Sequence, residues 1–291
     1  MNISKRGQTI QASPIRKLRS YADKAIEKGI HVFFLNLGDP DIPAPKPVLD
    51  AFHKFNEEFL SYGPSQGFLE LRKAIAGYYN SYRIPLTADN IIITTGGSEA
   101  IYFSFSVVAD PGDEIVIPEP FYTNYNGFAS FASVNIVPLT LRVEDGFRLP
   151  SKREIEAKIS KKTKAILLCS PNNPTGTVYT PEELERVVSV VKEYDLFLIG
   201  DEVYKEFVYD GRVHKSILEY EDIKERVIVV DSISKRFSCC GARIGAAITR
   251  NEKVFQSLFR FAQARLCPPS VEQQAALAAY RIEMGYFQPV R

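Results

Sequence analysis

The sequence has few of the residues that build disulfide frameworks and metal sites. Its four cysteines show no C-x-x-C spacing, and its three histidines are scattered without the spacing of metal ligands. Neither a disulfide framework nor a zinc site is therefore expected. The sequence also lacks a G-x-S-x-G elbow, a G-x-G-x-x-G turn and a Walker motif. These absences remove the usual support for a hydrolase, a nicotinamide site or an ATP site.

Charge and hydropathy argue against two further classes of partner. Lysine and arginine together number 36 and aspartate and glutamate 35, so the formal net charge is only +1. This charge creates no field that would attract nucleic acid or anionic lipid. No stretch approaches the roughly 18 apolar residues that a membrane helix needs, and the N-terminal residues lack the apolar core of a signal peptide. We therefore expect a cytoplasmic protein that binds neither nucleic acid nor membranes.

Short apolar runs alternate with amphipathic helical segments along most of the chain. Strands are predicted at 32–37, 91–95, 114–118, 134–139, 164–169, 196–200 and 227–231. Ser151 and Thr180 each precede a glutamate by three residues, which is the capping-box signature of a helix start. Such alternation predicts an α/β fold of three layers, a mostly parallel sheet with helices on both faces.

A lysine stands directly after the last predicted strand. Residues 231–245 read DSISKRFSCCGARIG and contain Lys235. A lysine that forms a Schiff base must be presented on a rigid element and partly desolvated, so that its amine is not held in the protonated, unreactive form. Ser232, Ser234 and Arg243 are suited to hold a phosphate, the arginine bidentately. The stretch therefore favours a site for a small phosphorylated aldehyde.

Three other polar stretches also follow predicted strands. Residues 96–99, GGSE, turn a strand into a helix, where glycines allow close backbone approach and free N–H groups bind phosphate. SPNNPTG at 170–176 and DEVY at 201–204 each come after a strand. In parallel sheets ligands bind at the carboxyl ends of the strands. We therefore expect these stretches to contribute to one site.

These motifs resemble a known family. The S-x-S-K and G-x-R-x-G elements, together with SPNNPTG and DEVY, are similar to those of the class I and II aminotransferases, the aspartate aminotransferase-like enzymes of pyridoxal phosphate fold type I. The resemblance implies pyridoxal 5′-phosphate as cofactor, with Lys235 as its Schiff-base lysine. It also implies transfer of an amino group between an L-amino acid and a 2-oxo acid.

The resemblance assigns a role to each motif residue. Asp201 pairs with the cofactor's ring nitrogen, and Asn173 and Tyr204 hydrogen-bond its phenolic oxygen. Lys235, Asp201 and Tyr204 are the implied catalytic residues. The implied cofactor-binding residues are Tyr62, Gly97, Ser98, Glu99, Tyr122, Asn173, Asp201, Tyr204, Ser232, Ser234, Lys235 and Arg243.

The resemblance also assigns residues to ring stacking, to a neighbouring subunit and to the substrate. Tyr122 stacks on the pyridine ring, because an aromatic side chain covers a flat cofactor at little entropic cost. Tyr62 reaches the cofactor phosphate of a neighbouring subunit, which implies a homodimer with shared active sites. Gly38 and Asn173 contact the substrate.

The resemblance also implies a division of the chain. Residues 1–44 correspond to an N-terminal arm and the first part of a small domain, 45–279 to the large cofactor-binding domain, and 280–291 to the start of a connection. The C-terminal part of the small domain, which carries the arginine for the substrate α-carboxylate, is expected to be missing. The chain is then either a fragment or a naturally short protein.

Several functions stay open at the level of sequence. Ser98 stands near the position where some aspartate enzymes of the family have a lysine, so an aspartate-type and a broad specificity are both compatible. A carbon-sulfur lyase on the same fold is an alternative to the aminotransferase. A domain that binds pyridoxal phosphate without turnover is the third alternative.

Overall fold

The fold is built on one seven-stranded sheet. The computed structural model describes residues 1–36, 38–56, 58, 60–283 and 285–287. Its strands are β1 (Ile91–Thr95), β2 (Glu114–Glu119), β3 (Asn135–Thr140), β4 (Thr163–Cys169), β5 (Phe197–Asp201), β6 (Val227–Ser232) and β7 (Ile244–Ile248). The strand order is β1-β7-β6-β5-β4-β2-β3, and only the pairings of β7 with β1 and with β6 are antiparallel.

Six of the predicted strands are confirmed, each within one residue of its predicted ends. β7 was not predicted, because its short run of small apolar residues follows directly on the turn that holds Arg243. The predicted strand at 32–37 is wrong over 32–36, which form no strand, and Leu37 lies outside the described residues. The mostly parallel sheet of the predicted fold class is confirmed.

Helices cover both faces of the sheet. The helices of the described residues are α1 (Lys5–Thr9), α2 (Arg19–Ile26), α3 (Lys46–Lys54), α4 (Leu69–Ser81), α5 (Gly96–Val108), α6 (Asn124–Ala132), α7 (Lys152–Glu156), α8 (Pro181–Glu193), α9 (Ile233–Arg236), α10 (Glu252–Arg265) and α11 (Ser270–Tyr280), of which α1 and α2 have no buried residues. The capping boxes that begin α7 and α8 are present as predicted. Within the described residues, no helix combines the length and the apolar character needed to cross a bilayer.

The core consists of two apolar layers separated by the sheet. In β6, Val227 and Val229 belong to the layer that includes residues of α4, α8 and α11. Ile228 and Val230 belong to the layer that includes residues of α5, α6 and α10. Successive strand residues point to opposite faces, so a strand buried on both faces is apolar throughout. This burial fixes β6 firmly in the sheet.

The predicted domain boundaries at 44 and 279 stay predictions. All seven strands lie between residues 91 and 248, inside the predicted large domain. The second boundary falls on the last turn of α11, which packs against α3 and α4.

Candidate active site

A cavity of about 590 Å³ lies at the carboxyl ends of three neighbouring strands. The last residues of β4, β5 and β6, which are Cys169, Asp201 and Ser232, all line it. The predicted site residues at these ends are Asn173, Asp201, Tyr204, Ser232, Ser234 and Lys235. Five more come from elsewhere in the chain, namely Gly38, Gly97, Ser98, Tyr122 and Arg243. The fold therefore gathers eleven of the predicted residues around one space.

Lys235 projects from the one-turn helix α9, which follows β6 without a loop. The Ser232 hydroxyl caps this helix by accepting a hydrogen bond from the Ser234 N–H at 3.0 Å. The Lys235 amine donates to the Gly38 carbonyl at 2.6 Å and lies 3.5 Å from the Cys240 sulfur. Its side chain is half-buried. A primary amine is thus held at a defined place on the cavity wall.

Asp201 supplies a buried carboxylate at the end of β5. It is 7% exposed and accepts a hydrogen bond from the Tyr125 hydroxyl at 2.6 Å. Burial raises the pKa of Asp201 to about 6, although the hydrogen bond from Tyr125 acts in the opposite direction. A cation placed beside this group would favour its charged form. The carboxylate is therefore suited to a protonated ring nitrogen.

Asn173 and Tyr204 meet across the cavity. The Asn173 amide donates to the Tyr204 hydroxyl at 3.2 Å. Burial raises the pKa of Tyr204, so its hydroxyl stays protonated and can donate a hydrogen bond. The turn that carries Asn173 is closed by backbone hydrogen bonds between Asn172 and Thr177 and between Gly176 and Asn172. This pair can hold a ring oxygen in place.

The opposite end of the cavity is rich in donors for an anion. The N-terminus of α5, 13 residues long, begins at the double-glycine turn. Gly96 has a φ of +72°, and a Cβ there would lie 2.4 Å from the Arg243 guanidinium. A side chain at Gly245 would meet the backbone of Gly96 at 2.4 Å. The glycines thus let Arg243 and the start of α5 converge, as a phosphate site requires.

Two predicted site residues do not line the cavity. The Glu99 carboxylate accepts a hydrogen bond from the Thr95 N–H at 2.8 Å and lies 3.6 Å from the Arg265 guanidinium. Glu99 therefore links the start of α5 to the end of β1 and does not line the cavity. Tyr62 is 82% exposed and lies outside this cavity.

Several lining residues were missed by the sequence analysis. They include Arg16, Asn36, Asn124, Tyr125 and Cys240. Tyr125 stands in the same aromatic-rich turn as Tyr122, but no sequence signal indicates which of the two tyrosines bonds Asp201. The N-terminal segment that brings Arg16 to the cavity has no spacing that predicts such a contact.

The residues present fit pyridoxal phosphate. Lys235 offers an amine for its aldehyde, Asp201 a buried carboxylate for its ring nitrogen, and the Asn173–Tyr204 pair a contact for its phenolic oxygen. Tyr122 offers an aromatic ring, whose hydroxyl accepts a hydrogen bond from Asn124 at 2.7 Å. Arg243 and the start of α5 offer the charge and the N–H donors that a phosphate needs.

Comparisons with known proteins point in the same direction. A family model described as aminotransferase class I and II matches residues 30–284. The chain is 36% identical over 257 residues to an aspartate aminotransferase of Sulfurisphaera tokodaii. The aligned region covers 87% of this chain and 64% of that protein.

Two solved structures are also similar over almost the whole chain. The aspartate aminotransferase of Thermotoga maritima has a TM-score of 0.92 at 32% identity, covering 98% of this chain and 76% of that one. An alanine aminotransferase from Pyrococcus furiosus has a TM-score of 0.92 at 33% identity, covering 99% of this chain and 75% of that one. This chain thus spans about two thirds to three quarters of the length of these relatives.

Proposed function

The chain belongs to the class I and II aminotransferase family, and from this membership we propose that it transfers amino groups between an L-amino acid and a 2-oxo acid. The observation that carries the proposal is the convergence of Lys235, Asp201 and the Asn173–Tyr204 pair on one cavity. These groups provide the amine, the carboxylate and the oxygen contact that the reaction requires.

Each residue performs a separable task. Pyridoxal phosphate, the cofactor of this family, supplies when bound an electron-poor ring that accepts electrons from the bonds at the substrate Cα. Asp201 keeps a negative charge at the ring nitrogen, and Tyr204 and Asn173 orient the ring through its oxygen. Arg243 and the N-terminus of α5 would hold the phosphate.

Lys235 also moves the proton. Its Nζ atom, positioned by the Gly38 carbonyl at 2.6 Å, can take a proton from the substrate Cα when neutral and, once charged, pass it on to a different atom. An atom at the Cβ position of Gly38 would lie 3.7 Å from this nitrogen and 4.0 Å from the Tyr204 hydroxyl. The glycine thus leaves room next to both groups.

Absorbance spectroscopy tests the proposed function. Titrating the protein with pyridoxal phosphate should produce the visible band of bound cofactor, and borohydride should then attach the cofactor to the peptide that contains Lys235. An L-amino acid should bleach the band, and a 2-oxo acid should restore it. Release of ammonia and an oxo acid without an acceptor would instead identify a lyase. A band that no amino acid bleaches would identify a binding domain without turnover.

We extend the proposal to an acidic substrate. The cationic residues among the described residues that line the cavity are Lys235, Arg243 and Arg16. The first two are assigned to the aldehyde and the phosphate, and the family resemblance assigns the substrate α-carboxylate to a different arginine. This leaves the guanidinium of Arg16 for a second substrate carboxylate. Burial raises the pKa of Tyr122, and the charge of Arg16 opposes this rise, so the guanidinium is within electrostatic reach of the proposed ring-stacking residue.

Replacing Arg16 tests this substrate class. Arg16→Gln should raise the KM for aspartate about ten- to hundredfold, because a hydrogen bond to a charged group is lost. The KM for alanine should change less than threefold. Arg19→Gln is the matched control, since that arginine bonds Asp23 within α2 and is absent from the cavity lining. Equal effects of Arg16→Gln on both substrates would contradict an acidic substrate.

A homodimer with shared sites is the proposed assembly. The largely exposed Tyr62 supports it, because a large aromatic side chain outside its own cavity is available to a second subunit. Light scattering should give twice the mass of one chain, and Tyr62→Ala should weaken cofactor binding in the dimer. A monomer with unchanged cofactor affinity would contradict this assembly.

A further inference from the structure

Two cavity residues are each followed in sequence by a cation that points away from the cavity. Lys205 follows Tyr204 and Arg236 follows Lys235, and neither cation lines the cavity. Both are buried, with 8% and 3% of their surface exposed. Burying a charged side chain is costly unless it is paired or hydrogen-bonded. The contacts of these two residues therefore show what holds the adjacent cavity residues in place.

Arg236 is paired with Asp231 across the turn that contains Lys235. One guanidinium nitrogen lies 2.5 and 2.6 Å from the two carboxylate oxygens, and both side chains are fully buried. The same carboxylate accepts a hydrogen bond from the Ser232 N–H at 2.7 Å and one from the Tyr79 hydroxyl at 2.9 Å. Asp231 thus connects β6, α9 and α4.

The charge of Asp231 is maintained in this buried setting. Burial is the largest single influence and raises its pKa, but the attraction of Arg236 and Lys205, together with the hydrogen bonds from Arg236 and Ser232, outweighs it and holds the pKa of Asp231 below its ordinary value. Asp231 therefore remains a carboxylate at neutral pH, and its hydrogen bonds to Ser232 and Tyr79 persist.

Lys205 and Arg236 both lie over the Tyr78 ring of α4, and Lys205 also lies over the Tyr79 ring. The Lys205 amine lies 3.5 Å from the centre of the Tyr79 ring and 4.3 Å from that of Tyr78. The Arg236 guanidinium lies 4.2 Å from the centre of the Tyr78 ring. Cations over aromatic faces are attracted, more strongly when desolvated. Burial lowers the pKa of Lys205 to about 7, so at neutral pH this attraction is partial for Lys205 and full for Arg236. The segment after β5 and the helix after β6 are therefore attached to one helix.

We propose that Asp231, Arg236, Lys205, Tyr78 and Tyr79 form a positioning cluster that sets the places of Lys235 and Tyr204 in the cavity. This proposal rests on the proposed function, since it assigns the cluster a role in the same reaction. The physical reason is the shortness of the elements concerned. α9 has four residues, and residues 202–210 form turns and loop without a regular helix or strand.

Neither element can fix a side chain by itself. A helix of one turn does not form stably without tertiary contacts, because nucleation is unfavourable. The direction of Lys235 therefore depends on Arg236, its neighbour in α9, which is anchored by Asp231. The direction of Tyr204 depends in the same way on Lys205, which is anchored on Tyr79.

The test measures Lys235 itself rather than turnover alone. Competitive acetylation of the cofactor-free protein gives the reactivity of the Lys235 amine. Arg236→Met should change the acetylation rate of this amine about tenfold, because the side chain is no longer held in the same place. In the cofactor-loaded protein the same variant should lower kcat roughly ten- to hundredfold, with KM within threefold of the parent.

Matched variants separate positioning from general destabilisation. Leu184→Ala, in the buried face of α8, should lower the melting temperature without changing the acetylation of Lys235. Arg236→Lys should restore part of the loss, and Tyr79→Phe, which removes one hydroxyl, should give a smaller change in the same direction as Arg236→Met.

Two results would overturn the proposal. One is a Lys235 amine that is acetylated at the same rate in the parent and in folded Arg236→Met and Tyr79→Phe. The other is a Leu184→Ala variant in which the acetylation of Lys235 changes by as much as it does in Arg236→Met. Failure of the proposed function has a different signature, because the acetylation readout needs neither pyridoxal phosphate nor an amino acid.

Discussion

Replacing Lys235 with alanine should lower the rate of amino transfer by about 10³-fold or more, because the variant loses both the covalent attachment point and the proton carrier. Borohydride treatment should no longer attach pyridoxal phosphate to the protein. Noncovalent binding should persist at reduced affinity, since Asp201, Arg243 and the start of α5 are unchanged. Steady-state kinetics, mass spectrometry after borohydride treatment and equilibrium dialysis measure these three quantities.

Control variants define what such a loss means. Lys253→Ala removes an exposed lysine of α10 and should behave like the parent. Lys235→Arg keeps a positive charge but cannot form the Schiff base, so it should be as inactive as the alanine variant. Lys235→Ala should also unfold at nearly the parental temperature, because the side chain is only half-buried. Retention of a tenth of the parental rate by Lys235→Ala would refute the assignment of this lysine.

Asp201→Asn should have opposite effects on stability and on function. In the cofactor-free protein, burial raises the pKa of Asp201 to about 6 from an ordinary value of 3.8. The folded state therefore binds this proton more tightly than the unfolded state. Stability falls as the pH rises from about 4 to about 6 and stays lower above that range. Asparagine carries no charge, so the variant avoids this loss.

The expected gain grows between about pH 4 and pH 6 and is complete above pH 6. At pH 8, urea unfolding of the cofactor-free protein should show Asp201→Asn to be more stable than the parent by about 1–3 kcal/mol. Near pH 4 the two proteins should be equally stable, because Asp201 is then protonated. In the cofactor-loaded protein the variant should lose roughly 10²–10³-fold in turnover, since the charge at the ring nitrogen is missing.

An exposed aspartate provides the comparison for this experiment. Asp145→Asn lies outside the cavity lining and should change neither stability nor turnover. The assignment of Asp201 fails if its asparagine variant turns over at the parental rate. The stability argument fails if that variant is the less stable protein at pH 8.

The cavity was largely predictable because its residues follow recognisable local patterns. Lys235, Asp201 and Asn173 all stand directly after apolar strands, so a parallel sheet brings them to one edge. Glu99 shows the limit of this reasoning. It belongs to the double-glycine motif, but its carboxylate accepts a hydrogen bond from the Thr95 N–H and lies near the Arg265 guanidinium. A motif fixes the course of the backbone better than the direction of each side chain.

The sequence by itself determined six of the seven strands, the capped helices and the polar stretches at the strand ends. Local residue preferences decide these features, such as the β-branched run at Val227–Val230 or the box at Thr180 and Glu183.

Only the tertiary structure decided the antiparallel course of β7, the bond of Tyr125 to Asp201 and the cluster around Asp231. Tyr125 and Asp201 are 76 residues apart, and Tyr79 and Asp231 are 152 residues apart. Such contacts depend on how the helices pack against the sheet, and that packing is set by the whole core rather than by any local pattern.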